Sequence, residues 1–273
     1  MDFFMAIVLG IVQGLTEPLP ISSSGHLILV PWIFDWPEHS LTFDVALHGG
    51  TALAIILYFW NDWLILAGAF LSSLRDRQLT STPERRLVWY IAIACIPAAI
   101  VGVLFESEIE ALLRSPETVA VLLMLMGFAM FVADRISNHS RGLAQVTLID
   151  ALIIGASQAL ALAPGVSRSG VTITAALLLQ MSRTDAARFS FLMSGPIVTG
   201  AFLYKMVGLL REGLPANEFL PFIAGMAVAT VVGYAAISFL LGYLQRRGMA
   251  LFAAYRFGFG ALILGLLFLR GMG

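Results

Sequence analysis

The chain has little charge. Only 12% of its 273 residues are Asp, Glu, Lys or Arg, about half of what a soluble domain carries. It has one cysteine, Cys95, so it can form no internal disulfide and offers no cysteine metal-site spacing. It shows no Gln/Asn-rich, Ser-rich or charged tail and no separate soluble region. The net charge of −1 names no partner, and nothing in the chain is expected to bind nucleic acid. The N-terminus carries Asp2 where a signal peptide would carry basic residues, and its apolar run passes straight into a polar motif. It reads as mature structure.

What the chain has in quantity is apolar length. It is 59% hydrophobic, with a mean hydropathy of +0.89, which predicts an all-α integral membrane protein. A spanning helix needs about 20 apolar residues. Six segments fit, at roughly 41–60, 88–105, 118–134, 189–207, 219–243 and 250–270. Segments 3–33 and 146–181 are also apolar, but Pro, Gly and Ser clusters interrupt both. Irregular backbone at membrane depth survives only inside protein or along a wet cavity, so each is expected to be a re-entrant pair of half-helices.

Charge orients these spans. Arg75, Arg77, Arg85, Arg86, Arg135, Arg141, Arg183, Arg188, Arg246 and Arg247 fall on one side, ten of the sixteen basic residues. The other side receives Arg114, Arg211 and Arg270, with Glu106, Glu108, Glu110 and Glu117. The positive-inside rule makes the ten-Arg side cytoplasmic. Segment 146–181 then dips in from the cytoplasm and segment 3–33 from outside.

A shift of 145 residues lays 10–26 on 155–171 with six of seventeen positions identical. Gly10, Gln13 and Leu15 meet Gly155, Gln158 and Leu160, and Ser22, Ser24 and Gly25 meet Ser167, Ser169 and Gly170. Together with the opposite directions of insertion, this predicts a single membrane domain, 1–273, made of inverted repeats of about 1–140 and 141–273. In such folds the site lies where the two interrupted segments meet.

Arg168 stands at that meeting point. An Arg at this depth costs roughly 3 kcal/mol or more unless paired. Ser167, Ser169, Gly170 and Thr172 surround it, a set suited to phosphate oxygens. One of the hydroxyls is expected to cap the half-helix that starts near Gly170, and that start points free N–H groups at an anion. The guanidinium fork matches phosphate in two-pronged fashion. Ser22, Ser23 and Ser24 offer the same groups from the other segment. Glu17 ends a half-helix beside Pro18 and Pro20, with Gln13 one turn earlier. A carboxylate and a carboxamide oxygen suit Mg²⁺ or Ca²⁺. His26 closes the serine cluster and can exchange protons near neutral pH. Asp44 and His48, four apart, read as a mutual hydrogen bond. Lys205 and Arg256 read as snorkelling side chains, and Trp32, Trp36, Trp60, Trp63 and Trp89 as an interfacial belt. His39 and His139 are loop residues without a signal.

Three stretches carry a family resemblance: Gln13-Gly14-Leu15-Thr16-Glu17, Ser22-Ser23-Ser24-Gly25-His26, and Pro164 through Thr172. They resemble the signatures of the undecaprenyl-diphosphate phosphatases, also called bacitracin-resistance proteins, and the likeness covers essentially the whole chain. The resemblance implies an enzyme of the bacterial cytoplasmic (inner) membrane. It would hydrolyse undecaprenyl diphosphate to undecaprenyl phosphate and inorganic phosphate, with a divalent cation. It ties the positions of Glu17, His26 and Arg168 to activity and gives Ser23, Ser167 and Thr172 supporting roles. The family writes Glu or Gln at the position of Gln13, so Glu17 is the one carboxylate of this motif here. His26, Ser23 or a water can be the nucleophile. Glu17 and His26 lie on the outward-opening segment, which predicts a periplasmic mouth. A homodimer is compatible with the sequence.

Other readings explain less. A polyprenyl-phosphate flippase would use the same inverted repeat but has no need of His26. An acid-phosphatase-type enzyme shares Ser24-Gly25-His26, yet it expects a His where Thr174 stands and a Lys-to-Arg-Pro element that is missing. A purely structural protein leaves Arg168 and Glu17 without a use. The orientation can be checked directly. A topology reporter fused in the 75–86 loop is expected to read cytoplasmic, and an external signal there would invert the orientation.

Overall fold

Both interrupted runs do turn back on themselves. The structure is a computed structural model that describes residues 2–37, 40–213 and 216–271. His39 lies outside the described residues, as do the side chains of Glu106 and Glu110. Eleven α-helices make up the described chain. Helices α1 (Phe3–Thr16) and α2 (Ser23–Phe34) form the first interrupted pair. They are followed by α3 (Leu41–Tyr58), α4 (Trp60–Asp76), α5 (Pro83–Leu113) and α6 (Pro116–Ile136). Helices α7 (Leu148–Gln158) and α8 (Arg168–Leu178) form the second pair, joined through a 3-10 turn at Ala159–Leu162. Then come α9 (Arg183–Glu212), α10 (Ala216–Leu244) and α11 (Ala250–Arg270). Five of these are long and apolar enough to cross a membrane, and six if α3 and α4 count as one bent span. The protein is an all-α, multi-pass membrane protein.

The main departure from expectation is α4. The sequence reading ends a span at 60 and sees only an approach to the basic loop beyond it. Instead the chain bends by 77° and runs on as a helix to Asp76. At 17 residues α4 is too short to announce itself as a span. No Pro or Gly makes the corner. Phe59, 1% exposed, is buried at it against Phe191 and Tyr58, with ring centroids at 5.8 and 5.0 Å. Arg188 holds the start of α4 through Asp62 at 2.7 Å. Trp63, expected in the interfacial belt, instead lies on Gly195 of α9, where a Cβ would meet its ring at 2.4 Å.

The halves of the chain interlock. Helix α1 packs on α10, and α7 packs on α5, so each leading half-helix lies against a long helix of the other half. Glycines set both crossings. A Cβ on Gly10 would stand 2.9 Å from the carbonyl oxygen of Gly225, and one on Gly155 would stand 2.3 Å from that of Ala94. These two glycines are partners under the 145-residue shift. Lipid-embedded helices gain little from apolar burial alone, so close backbone approach through small residues carries their packing. At the basic side, Arg183 Nε (2.5 Å) and the Met249 amide (3.0 Å) both donate to Asp134, tying α9 and α11 to the end of α6. Arg141 grips Asp150 at the start of α7 with both arms of its fork, at 3.1 and 2.5 Å. The interior centres on α8, where every residue from Ser169 to Leu177 is buried.

The crossing predicts opposite results for two Gly→Ala changes. Alanine gains about 1 kcal/mol of helix propensity over glycine, but overpacking against fixed backbone costs about 1–3 kcal/mol. Gly155→Ala is therefore expected to lower Tm in detergent. Gly208→Ala, with nothing within 4 Å, is expected to leave Tm unchanged or raise it.

Candidate active site

Two serines start the inner half-helices, and they do so alike. Ser22 caps α2 and Ser167 caps α8, each with φ of 76°. A non-glycine residue in this region costs about 1–3 kcal/mol and persists only where its surroundings impose it. Each side chain accepts the amide three residues on, Gly25 N at 3.3 Å and Gly170 N at 3.1 Å. Each hydroxyl also meets its neighbour two residues on, Ser24 at 3.4 Å and Ser169 at 3.2 Å. The half-helices begin at Ser23 and Arg168, earlier than Gly25 and Gly170. Ser23 and Arg168 thus occupy first-turn positions, where the helix dipole favours negative charge.

Glu17 caps the end of α1 and takes partners from both interrupted segments. The Ser23 hydroxyl donates to one carboxylate oxygen and the Arg168 guanidinium pairs with the other. Gln13 Nε2 reaches the Ser23-bound oxygen at 3.4 Å and the Thr51 hydroxyl, also at 3.4 Å. The expected bond between His48 and Asp44 is made to the Asp44 backbone carbonyl, at 2.9 Å. Glu17, Pro18, Ile55, Arg168, Ser169, Phe191 and Ser194 enclose a cavity of about 10 Å³, room for roughly one water. Phe191 and Ser194 come from α9, a stretch in which no sequence motif marked them. The ion pair is nearly enclosed, with side-chain exposures of 19% for Arg168 and 7% for Glu17.

The other predicted phosphate ligands hold the scaffold. Ser169 donates to the carbonyls of Glu17 and Leu19 at 3.2 and 3.1 Å, and of the flanking hydroxyls it alone lines the cavity among the described residues. Ser22 Oγ also accepts the amide of Gly165 at 3.1 Å, linking the two interruptions. Thr172 is fully buried between the Arg168 carbonyl and the Ser190 hydroxyl, both at 2.7 Å. Gly170 leaves room for Arg256, whose Nη1 would lie 3.0 Å from an added Cβ.

Both ring nitrogens of His26 hydrogen-bond outside the Glu17 cluster. It is 3% exposed, with Nδ1 at 2.6 Å from the Ser22 carbonyl and Nε2 at 2.7 Å from the Tyr255 hydroxyl. Arg256 does not snorkel as expected. It is fully buried and donates to four backbone carbonyls: Leu123 and Val166 at 2.9 Å, Pro20 at 2.9 Å and Gly165 at 2.6 Å. A guanidinium at this depth is as costly at Arg256 as at Arg168. Its place two turns into an otherwise ordinary span hid it.

Comparison with known proteins shows the family. The family model described as "Bacitracin resistance protein BacA" matches residues 6–262. A protein of Moorella thermoacetica named undecaprenyl-diphosphatase is 52% identical over 271 residues, 99% of this chain and 100% of its own length. One of the same name from Pelobacter propionicus is 51% identical over 257 residues, 94% of each chain. A third, from Geotalea daltonii, is 50% identical over 97% of this chain and 98% of its own. The chain belongs to the BacA family. The two interruptions, which hold its least ordinary backbone, lie within the matched span.

A divalent cation fits the donors of this BacA site in kind. Among the described residues no three His, Cys, Asp or Glu side chains gather as a metal cluster. The Gln13 Oε1, however, is buried without a partner beside the Glu17 carboxylate, and both are hard oxygen donors. Arg256 offers a stability test. Arg256→Met keeps much of the volume but leaves the carbonyls of Pro20, Gly165 and Val166 without their guanidinium donor. The loss is expected to be about 3–5 kcal/mol, read as a large fall in Tm. A fall no greater than that of a lipid-facing Leu→Ala control would show that the guanidinium holds nothing together.

Proposed function

We propose that the protein hydrolyses undecaprenyl diphosphate to undecaprenyl phosphate and inorganic phosphate in the bacterial cytoplasmic membrane. The full-length relatives named for that activity support the reaction class. The observation that carries the chemistry is the Ser23 hydroxyl on the Glu17 carboxylate, with Arg168 on the other oxygen. That is a nucleophile, its base and a phosphate-binding cation in direct contact.

Phosphoryl transfer mainly needs positioning and charge neutralisation. In the proposed sequence Arg168 turns from Glu17 to the diphosphate oxygens, and the first turns of α2 and α8 add their amide dipoles. Glu17 keeps its bond to Ser23 and takes its proton as Ser23 Oγ attacks the terminal phosphorus. The Oγ–P bond forms and the bridging P–O bond breaks. Undecaprenyl phosphate leaves with the electron pair of that bond. Water, activated by Glu17 once its proton has passed to solvent, then cleaves the phosphoserine to inorganic phosphate. Glu17 and Gln13 are the residues that would hold Mg²⁺ or Ca²⁺, and such an ion would neutralise diphosphate charge. The apolar surface between helices is the place for the polyprenyl tail. The charge pattern supports a periplasmic mouth. Pairing with a second copy is a further possibility that the reading does not need.

Phosphate release from undecaprenyl diphosphate by the purified protein is expected to fall with EDTA and return with Mg²⁺ or Ca²⁺. Glu17→Gln, Ser23→Ala and Arg168→Ala are each expected to lower kcat about 100-fold or more. A substrate labelled at the terminal phosphate is expected to label the wild type transiently and Ser23→Ala not at all. Release without any labelled enzyme would move the attack to water. Lipid binding without release would leave a carrier.

A further inference from the structure

His26 has two ring nitrogens, and both are committed away from Glu17. The Ser22 carbonyl, 2.6 Å from Nδ1, can only accept, so Nδ1 carries a hydrogen. Nε2, 2.7 Å from the Tyr255 hydroxyl, then has one of two states. Were it also protonated, an imidazolium would sit 3% exposed beside buried Arg256, with no carboxylate bonded to it. Burying such a charge unpaired is costly. The neutral ring, with Nε2 accepting from the Tyr255 O–H, satisfies every group. Phe259 stacks on the ring at 4.6 Å and 5°, and Tyr255 at 5.7 Å and 14°. The imidazole is thus held in plane and in tautomer by α11.

We propose that Tyr255 is a positioning residue of the phosphatase, acting through His26 on the Ser22–Ser23 step of the first interruption. The chain of contacts is continuous. Tyr255 orients His26, and His26 Nδ1–H, at 2.6 Å, is the shorter of two bonds to the carbonyl of Ser22, the other being the His26 amide at 3.2 Å. Ser22 sits at φ 76° and receives the amides of Gly25 and Gly165 on its hydroxyl. Ser23 is the next residue, and its direction toward Glu17 follows from the backbone of Ser22. His26 is in this account a positioning residue too, a neutral donor and not the nucleophile. Loss of either link loosens the Ser22–Ser23 peptide, leaving its carbonyl on the longer His26 amide bond alone, and carries the Ser23 hydroxyl off the carboxylate. Misplacing a reacting group by about 1 Å costs on the order of 100-fold in rate.

The inference rests on the proposed phosphatase activity, and the test separates the two. Tyr255→Phe keeps the stacked ring and removes only the hydroxyl. It is expected to lower kcat about 10-fold with KM within about twofold of wild type and Tm unchanged. Ring ¹⁵N NMR of histidine-labelled protein, assigned with His26→Asn, is expected to show His26 as a single Nδ1–H tautomer in wild type and an averaged one in Tyr255→Phe. His26→Asn places an amide donor near the Nδ1 position and is expected to retain measurable turnover. His26→Gln, whose amide reaches toward the Nε2 position, is expected to retain at least tenfold less. A wild-type kcat in Tyr255→Phe, an Nε2–H signal in wild type, or folded His26→Asn as inactive as His26→Gln would each overturn the proposal. Failure of the wild type to release phosphate would defeat the phosphatase reading, while the tautomer measurement still decides what Tyr255 does to His26.

Discussion

A helix that stops inside an apolar slab leaves amides and carbonyls with no water to satisfy them. Each such group left alone costs kilocalories. Here two helices stop, and the fold is organised around that debt. The carbonyls freed at Pro20, Gly165 and Val166 converge on one guanidinium, that of Arg256. Amides at the new helix starts are taken by Ser22 and Ser167. Ser169 crosses from the second interruption to the carbonyls of Glu17 and Leu19 in the first. Each interruption is completed by the other and by α11. Neither would be stable alone at this depth, so the relative placement of Ser23, Glu17 and Arg168 follows from the satisfaction of backbone groups.

The chain carries two deeply placed arginines with different roles. Arg256 meets only neutral carbonyls, has no exposed surface and has no reason to move. Arg168 meets a carboxylate, keeps 19% of its side chain accessible and lines the cavity. Four dipolar acceptors hold a guanidinium in one geometry without cancelling its charge. A single carboxylate cancels the charge but is exchanged readily for another anion. The first arrangement suits a strut and the second a ligand-binding group.

Much of this was legible in the residues. Hydropathy located five of the spans, and Pro, Gly and Ser clusters located both interruptions. Costly charge beside hydroxyls marked Glu17, Ser23 and Arg168 as site residues, but the bonds that join them were not among the readings. What could not be read depended on tertiary contact. The corner at Phe59 has no breaker residue, because burial against Phe191 makes it. The serines and Thr172 look alike as phosphate ligands in one dimension, and only the packing of α8 separates Ser169 from the rest. Arg256 and Tyr255 sit in an unremarkable span, between 90 and 236 residues from the groups they hold. No local pattern announces such a partner.

The Glu17–Arg168 pair also bears on how the proposed reaction turns over. Two isolated charges here would each suffer desolvation, and paired they offset one another. The cavity beside them has room for about one water, so a diphosphate enters only by drawing Arg168 off the carboxylate. A terminal phosphate with its neighbour carries more negative charge than Glu17 and presents more oxygens to the fork, so the exchange favours substrate. That same exchange leaves Glu17 bonded to Ser23 with its countercharge gone, which readies it to accept the Ser23 proton only once a phosphate is in place. In the proposed sequence the lipid monophosphate leaves first, and the phosphoserine holds the guanidinium until water cleaves it to inorganic phosphate. Arg168 returns to Glu17, and the restored ion pair helps expel the product. One exchange of partners thereby couples binding, activation and release at a site where a permanently exposed charge would be costly.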